Sequence, residues 1–281
     1  MKLTKSVSPS LYDEKYFTEF CSGYKNFLKT KGRSLELRLG GIIKNIPDIK
    51  KGMKFLDIAC GRGEMVQWAA RKGAISYGID YSKDAIALAK EAVSYLPAEI
   101  RKRINFKVMN AKKLNYPDRY FDRIIMIEMY EHLYPCEKLK VLKEARRVLK
   151  DGGCLLLHTE PNRLFHSLIY RFWSYPLSTL LIVINKIFTG NVYPIMLKLD
   201  RETLEKQRRL HVGEPTYFSI KRDIKKVGLS GIVESPNLIW SKPHLGWKDW
   251  VYNFIVYLDP LSKYFPLNLL FGQDFMVILK K

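Results

Sequence analysis

The sequence is short of acidic residues, of cysteine and of long uncharged runs, and each shortage narrows the options. Its 281 residues carry 28 Asp and Glu against 48 Lys and Arg, a formal net charge of +20. Such a balance favours an anionic partner, whether nucleic acid, a phospholipid surface or a phosphorylated substrate. Four scattered cysteines (Cys21, Cys60, Cys136, Cys154) exclude a disulfide scaffold, and the absence of C-x-x-C gives no zinc signature. A reduced, cytoplasmic protein is expected, peripheral at most on the inner face of a membrane. The best candidate for a spanning segment, Phe172–Asn185, is uncharged but only 14 residues long and is interrupted by Pro176. A span needs about 20 apolar residues, so an interfacial or buried helix is expected there. Met1–Lys5 leads into a polar stretch, so no signal peptide is expected. An apolar content of 47% excludes a disordered chain.

What is present is an alternation. Apolar runs at Phe55–Cys60, Ser76–Asp80, Ile104–Asn110, Arg123–Glu128 and Cys154–Thr159 are separated by helical periodicity at Met65–Lys72, Lys83–Tyr95 and Cys136–Leu149. Asp151-Gly152-Gly153 is expected to stop the last of these helices. Continuous apolar strands separated by helices predict an α/β fold: a Rossmann-like, seven-stranded, mostly parallel sheet covered on both faces. Two N-terminal helices are expected at Glu14–Lys29 and Ser34–Ile46, a later helix at Ser219–Val227, and strands at Gly231–Trp240 and Phe275–Leu279. The expected organisation is an N-terminal helical segment (1–53), a core (54–162), an apolar and basic insertion (163–210), and a C-terminal part (211–281). The C-terminal part carries a second aromatic insertion at 241–273.

Chemistry concentrates in Phe55-Leu56-Asp57-Ile58-Ala59-Cys60-Gly61-Arg62-Gly63-Glu64-Met65, a strand that ends in a Gly-x-Gly turn and opens a helix. Glycines there let the backbone approach a ligand at the carboxyl edge of the sheet. Val66 replaces the third glycine of the dinucleotide fingerprint, and no Gly-Lys-Ser/Thr follows, which excludes a P-loop. Nineteen residues after Gly61, Asp80 ends the next strand, where a carboxylate can accept both hydroxyls of a ribose.

These residues resemble the class I S-adenosylmethionine-dependent methyltransferases, closely over 50–162 and loosely over 211–240 and 275–281. The resemblance implies S-adenosylmethionine as cofactor. Asp57, Ala59, Gly61 and Gly63 would surround its methionine moiety, Asp80 would hold the ribose, and Tyr81 would lie beside the adenine. Asn110-Ala111 falls where an acid often meets the adenine amino group, and the Asn carbonyl can accept the same bond. Phe121–Leu133 resembles the fourth-strand motif of the family, with Glu128 beside the cofactor, and Glu144–Gly153 resembles its turn into strand five.

Glu128-x-x-Glu131-His132 has two readings. In the similar ubiquinone-biosynthesis O-methyltransferases and a small-RNA methyltransferase family, such a string holds a divalent metal, with His211 as a further ligand candidate. In the other, metal-free reading, Glu128 touches the cofactor while Glu131 and His132 cap and orient a helix. An alcohol or phenol acceptor also needs its proton removed, for which His132 and then His211 are the candidate bases. His158 reads as structural, and His166 and His244 as possible lining of an acceptor pocket.

In this family the additions to the core choose the acceptor, so both insertions are expected as a lid over the site. Trp173, Trp240, Trp247 and Trp250 lie in or beside them, among Lys and Arg, a composition suited to a headgroup interface. The resulting expectation is O-methylation of a lipid, prenylated or lipid-linked acceptor at an anionic membrane surface. The alternatives are an RNA methyltransferase, a soluble small-molecule methyltransferase, and, last, a non-catalytic membrane adaptor.

Overall fold

The computed structural model describes residues 6–190, 205, 209–238 and 246–281. Seven strands form one sheet in the order β3-β2-β1-β4-β5-β7-β6. They are β1 (Lys54–Ile58), β2 (Ile75–Asp80), β3 (Ile104–Val108), β4 (Phe121–Ile127), β5 (Leu149–Thr159), β6 (Ser230–Glu234) and β7 (Phe275–Lys280). β1 to β5 run parallel, and β7 is antiparallel to both β5 and β6. The chain therefore reverses strand order beside β1, between β2 and β4. That switch point is where open α/β sheets bind ligands, at the carboxyl ends of their strands.

The strands read as continuous apolar runs because both faces are covered. One face buries Leu56, Ile124, Met126, Leu155 and Val277 under the helices Pro135–Val148 and Tyr217–Lys226. The other buries Phe55, Ile125 and Leu156 under Met65 and Ala69 of helix Glu64–Arg71 and Ile42 of helix Leu37–Ile43. At about 25 cal/mol per Å² of apolar surface, these two layers dominate the stability.

Local signals and structure part at three places. Asp151-Gly152-Gly153 does not end the helix, which stops at Val148; the three residues lie inside β5. Phe121 pairs with Leu149 and Arg123 with Cys154, so the glycines fill an irregular bulge in the ladder. The N-terminal segment is more broken than its periodicity suggests, with short turns at Pro9–Leu11 and Tyr16–Phe20 and helices at Tyr24–Thr30 and Leu37–Ile43. The strand expected at Gly231–Trp240 is only Ser230–Glu234, and its expected end lies outside the described residues.

Pro176 does not interrupt the insertion. A π-helix at Phe165–Ser174 runs directly into an α-helix at Tyr175–Thr189, with Pro176 in the first turn of the latter. Proline has no N–H to give the preceding turn, and the junction places it where none is needed. The combined 25-residue helix is long and apolar enough to cross a membrane by length and composition alone.

Candidate active site

One pocket opens at the switch point, lined from the carboxyl ends of four strands. Asp57, Ala59, Cys60 and Gly61 lie at and just after the end of β1; Asp80 and Tyr81 at the end of β2; Ile127, Glu128, Met129 and His132 at and after the end of β4. Asn110, Ala111 and Lys112 complete the wall after β3. Ala59 and Gly61 turn with φ of 63° and 49°, a left-handed pair that brings the backbone to the pocket wall.

Asp80 fixes that turn. Its Oδ2 accepts the Gly61 N–H at 3.1 Å and its Oδ1 the Ser82 N–H at 2.9 Å. Each oxygen keeps a second lone pair for a ligand hydroxyl. Burial raises the Asp80 pKa, and the backbone N–H bonds hold it back. Asp57 is raised well above the ordinary range by burial and by the charges of Asp80 and Glu64. Three carboxyl groups thus crowd one cavity, an arrangement that a cationic ligand relieves.

Gly63 lies outside the pocket wall. It caps helix Glu64–Arg71 with φ of 78°, and a Cβ there would fall 2.6 Å from the Phe106 ring. Its role is close packing between helix and sheet. Asn110 lines the pocket, with its Oδ1 accepting the Lys112 N–H at 2.9 Å.

Glu128, Glu131 and His132 do not share a helix face, because the helix there is a single 3-10 turn, Tyr130–His132. Glu128, at φ of 52°, pairs with Arg38. Glu131 accepts the Thr159 hydroxyl at 2.7 Å. His132 turns its Nδ1 to the Leu210 carbonyl at 3.2 Å and the Tyr12 hydroxyl at 3.0 Å. Among the described residues, no three of His, Cys, Asp and Glu are grouped to hold a metal ion.

Nδ1 of His132 is shared between a carbonyl that only accepts and a hydroxyl that can also donate, and Nε2 lies 3.8 Å from Glu131. Burial, and then the neighbouring His211, lower the His132 pKa to about 3, which keeps the ring neutral. His211 does not line the pocket; its ring stands edge-on behind His132, with centroids 4.9 Å apart. Burial lowers its pKa, but the carboxylates of Glu214, Glu131 and Glu160 outweigh this and raise it overall. Gly213 seats this segment: its N–H donates to Glu131 O at 2.9 Å, and a Cβ would lie 2.0 Å from Leu133 O.

The remaining histidines serve elsewhere. His166 pairs with Glu214 at 3.2 Å, and buried His158 with Asp274 at 3.1 Å. His244 and Trp240 lie outside the described residues.

A profile described as a methyltransferase domain matches residues 56–157. The methyltransferase GfsG of Streptomyces halstedii is 35% identical over 111 residues, 39% of this chain and 38% of its own length. A ubiquinone biosynthesis O-methyltransferase of Coxiella burnetii is 30% identical over 186 residues, 66% of this chain and 69% of that protein. The chain belongs to the S-adenosylmethionine-dependent methyltransferases. Their fold is seen in the Mesorhizobium loti methyltransferase structure, with a TM-score of 0.56 at 16% identity over 88% of this chain and 98% of that one. This methyltransferase spans about two-fifths of GfsG and of the 27-O-demethylrifamycin SV methyltransferase of Amycolatopsis mediterranei, at 38% and 42%.

The pocket of this methyltransferase fits its family's cofactor on its own chemistry. Glu64 is paired with Arg62 at 3.0 Å, so a sulfonium and an ammonium would answer Asp57 and Asp80, and hydroxyls would meet the lone pairs left on Asp80. Several pocket residues carried no signal in the local sequence. Arg38, Arg62, Tyr12, Tyr16 and Phe17 all line it, and all but Arg62 come from the N-terminal segment. Among the described residues, no position from 163 to 190 or from 246 to 281 does so. Among the described residues, cover over the pocket comes from the N-terminal segment, joined by Leu210 and Val212, which cluster with Val7, Tyr12 and Phe17.

Proposed function

We propose that the protein transfers a methyl group from S-adenosylmethionine to an oxygen of a lipid, prenylated or lipid-linked acceptor held in an anionic membrane surface. The cofactor would supply an already activated methyl group, so the protein's task is alignment and proton removal. Asp80 and the Ala59–Gly61 turn would hold the cofactor, and Glu128 with Arg38 would border its methionine end. His132 presents a neutral imidazole to the same pocket and is the proposed acceptor of the substrate proton. Relatives named as O-methyltransferases, of ubiquinone biosynthesis in Coxiella burnetii and in Rattus norvegicus, support oxygen as the acceptor atom.

The membrane reading rests on one observation. Helix Phe165–Thr189 and helix Trp247–Tyr257 pack as an apolar pair at the carboxyl edge of the sheet, and the first buries only 17% of its apolar window. Phe172 is 75% exposed, Ile187 73%, Phe188 82% and Trp247 73%. A groove of about 290 Å³ lies between the two helices, walled by Leu181, Ile184, Phe188, Trp247 and Val251. Charges on the pair favour an anionic bilayer. Arg163, Arg171, Lys186 and Lys248 face one acid, the buried Asp249.

Incubation with methyl-labelled cofactor and separated lipid, RNA and water-soluble small-molecule extracts tests this reading. Label is expected in the lipid fraction. Label confined to RNA or to water-soluble products would contradict it.

A further inference from the structure

Residues 6–27 cross the mouth of the pocket, and Ser6, Val7, Tyr12, Tyr16, Phe17 and Cys21 form part of its wall. Several side chains hold this segment, Asp84 at the Glu14 N–H and Lys112 at the Ser6 hydroxyl among them, and three come from the loops after β1, β2 and β4. Arg62 comes from the Gly-x-Gly turn. Ser82, after β2, donates its hydroxyl to the Tyr12 carbonyl at 2.6 Å. His132, after β4, meets the Tyr12 hydroxyl at 3.0 Å.

Arg62 is the strongest of the three. Its guanidinium, in a residue only 6% exposed, donates to the Phe17 carbonyl at 2.8 Å, Ser22 at 2.7 Å and Cys21 at 3.4 Å. Glu64 balances its charge at 3.0 Å, and the rings of Tyr24 and Phe27 lie 5.8 and 5.2 Å from it. The three carbonyls sit where the turn Tyr16–Phe20 ends, so one side chain satisfies the backbone that a longer helix would satisfy internally. Phe17 in turn lays its ring against Gly61, 3.6 Å from where a Cβ would stand.

We propose that residues 6–27 are a strap that opens to exchange cofactor and closes over it, and that Arg62 is its latch. This rests on the cofactor reading of the pocket. The strap is built of turns of three and five residues and one helix of seven, lengths that do not hold their shape alone. Its closed form depends on loops whose own geometry answers to the cofactor. Arg62 is bonded to the backbone of the strap and is part of the turn that Asp80 fixes, so ordering the turn orders the strap. Closure then places the Tyr12 hydroxyl on His132, coupling cofactor occupancy to the orientation of the proposed base. Arg62 is thus a positioning residue, acting through Phe17 and Tyr12.

The test combines cofactor release, followed by stopped flow, with backbone hydrogen exchange over residues 6–27. Both are measured with and without S-adenosylmethionine. The wild-type strap is expected to exchange more slowly when the cofactor is bound. Arg62→Ala should speed release about tenfold or more and abolish that protection, because three charge-assisted bonds are lost. Arg62→Lys should fall between, since an ammonium cannot reproduce the planar fork. Phe17→Ala removes a strap side chain without touching the sheet, and should speed release in the same direction if Arg62→Ala does not fold. Release within twofold of wild type in Phe17→Ala and in every Arg62 variant that folds, with exchange unchanged, would overturn the strap and leave the cofactor site standing. Failure of the wild type to bind the cofactor at all would overturn the reading beneath it.

Discussion

The two ends of the carboxyl edge obey opposite rules. Around β1, β2 and β4 the protein buries carboxyl groups: Asp57, Asp80 and Glu131 are nearly enclosed, Asp80 taking two backbone N–H groups and Glu131 the Thr159 hydroxyl. Beyond β5 it exposes oil, on a helix with only 17% of its apolar window buried. Burying an ionisable group is costly unless a partner answers it, and an exposed apolar patch of this size marks a surface made to be covered. The carboxyl groups of the first region suit a polar, cationic ligand, and on the proposed reading the second suits an apolar surface of anionic charge.

If the pocket works as described, its largest single loss follows Asp80→Ala. The change leaves the Gly61 and Ser82 N–H groups without their acceptor and removes the hydroxyl contacts. Calorimetry should register a fall in cofactor affinity of about 100-fold, two bonds to a charged group being worth roughly 3 kcal/mol or more. Vesicle binding should be untouched by it, which separates the two regions.

The reciprocal variant is Phe172→Glu with Phe188→Glu. Each phenylalanine contributes about 2 kcal/mol when covered. Allowing for partial insertion, partition onto anionic vesicles in a sedimentation assay should fall about 30-fold with cofactor affinity unchanged. Equal partition would mean that the exposed helices are covered by something other than lipid.

A smaller effect sharpens the account of His132. Its pKa is about 3 in the folded protein, lowered by burial and His211, and about 6.5 in the unfolded chain. Between these values the unfolded chain binds a proton that the folded chain refuses. The contribution is therefore intact above pH 6.5 and is lost progressively as the pH falls toward 3, at about 1.4 kcal/mol per pH unit. His132→Asn should remove that slope relative to wild type in urea melts at pH 5, 6 and 7.

How much of this was legible depended on distance along the chain. Asp57, Gly61 and Asp80 announce themselves because strand, turn and acid lie within one βαβ unit, whose register local patterning sets. Arg62 was visible only as a spacer between glycines, since its partners Phe17, Cys21 and Ser22 are 40 to 45 residues away. Arg38 reaches Glu128 across a still larger gap; the fourth-strand motif marks Glu128, and nothing local marks Arg38. The spacing of Glu128-x-x-Glu131-His132 did not show where its side chains go, because the chain makes one 3-10 turn there and sends each to a different element. Pro176 misled for the opposite reason, as a breaker that a π-to-α junction absorbs.

The central claim joins the two regions: the pocket methylates an acceptor that the apolar helices reach in a bilayer. It is tested by label transfer from methyl-labelled cofactor into a total lipid extract, presented once in anionic vesicles and once dispersed in detergent. The account predicts that Phe172→Glu with Phe188→Glu loses transfer on vesicles and retains the wild-type rate in detergent. Wild-type transfer by that variant on vesicles would contradict it.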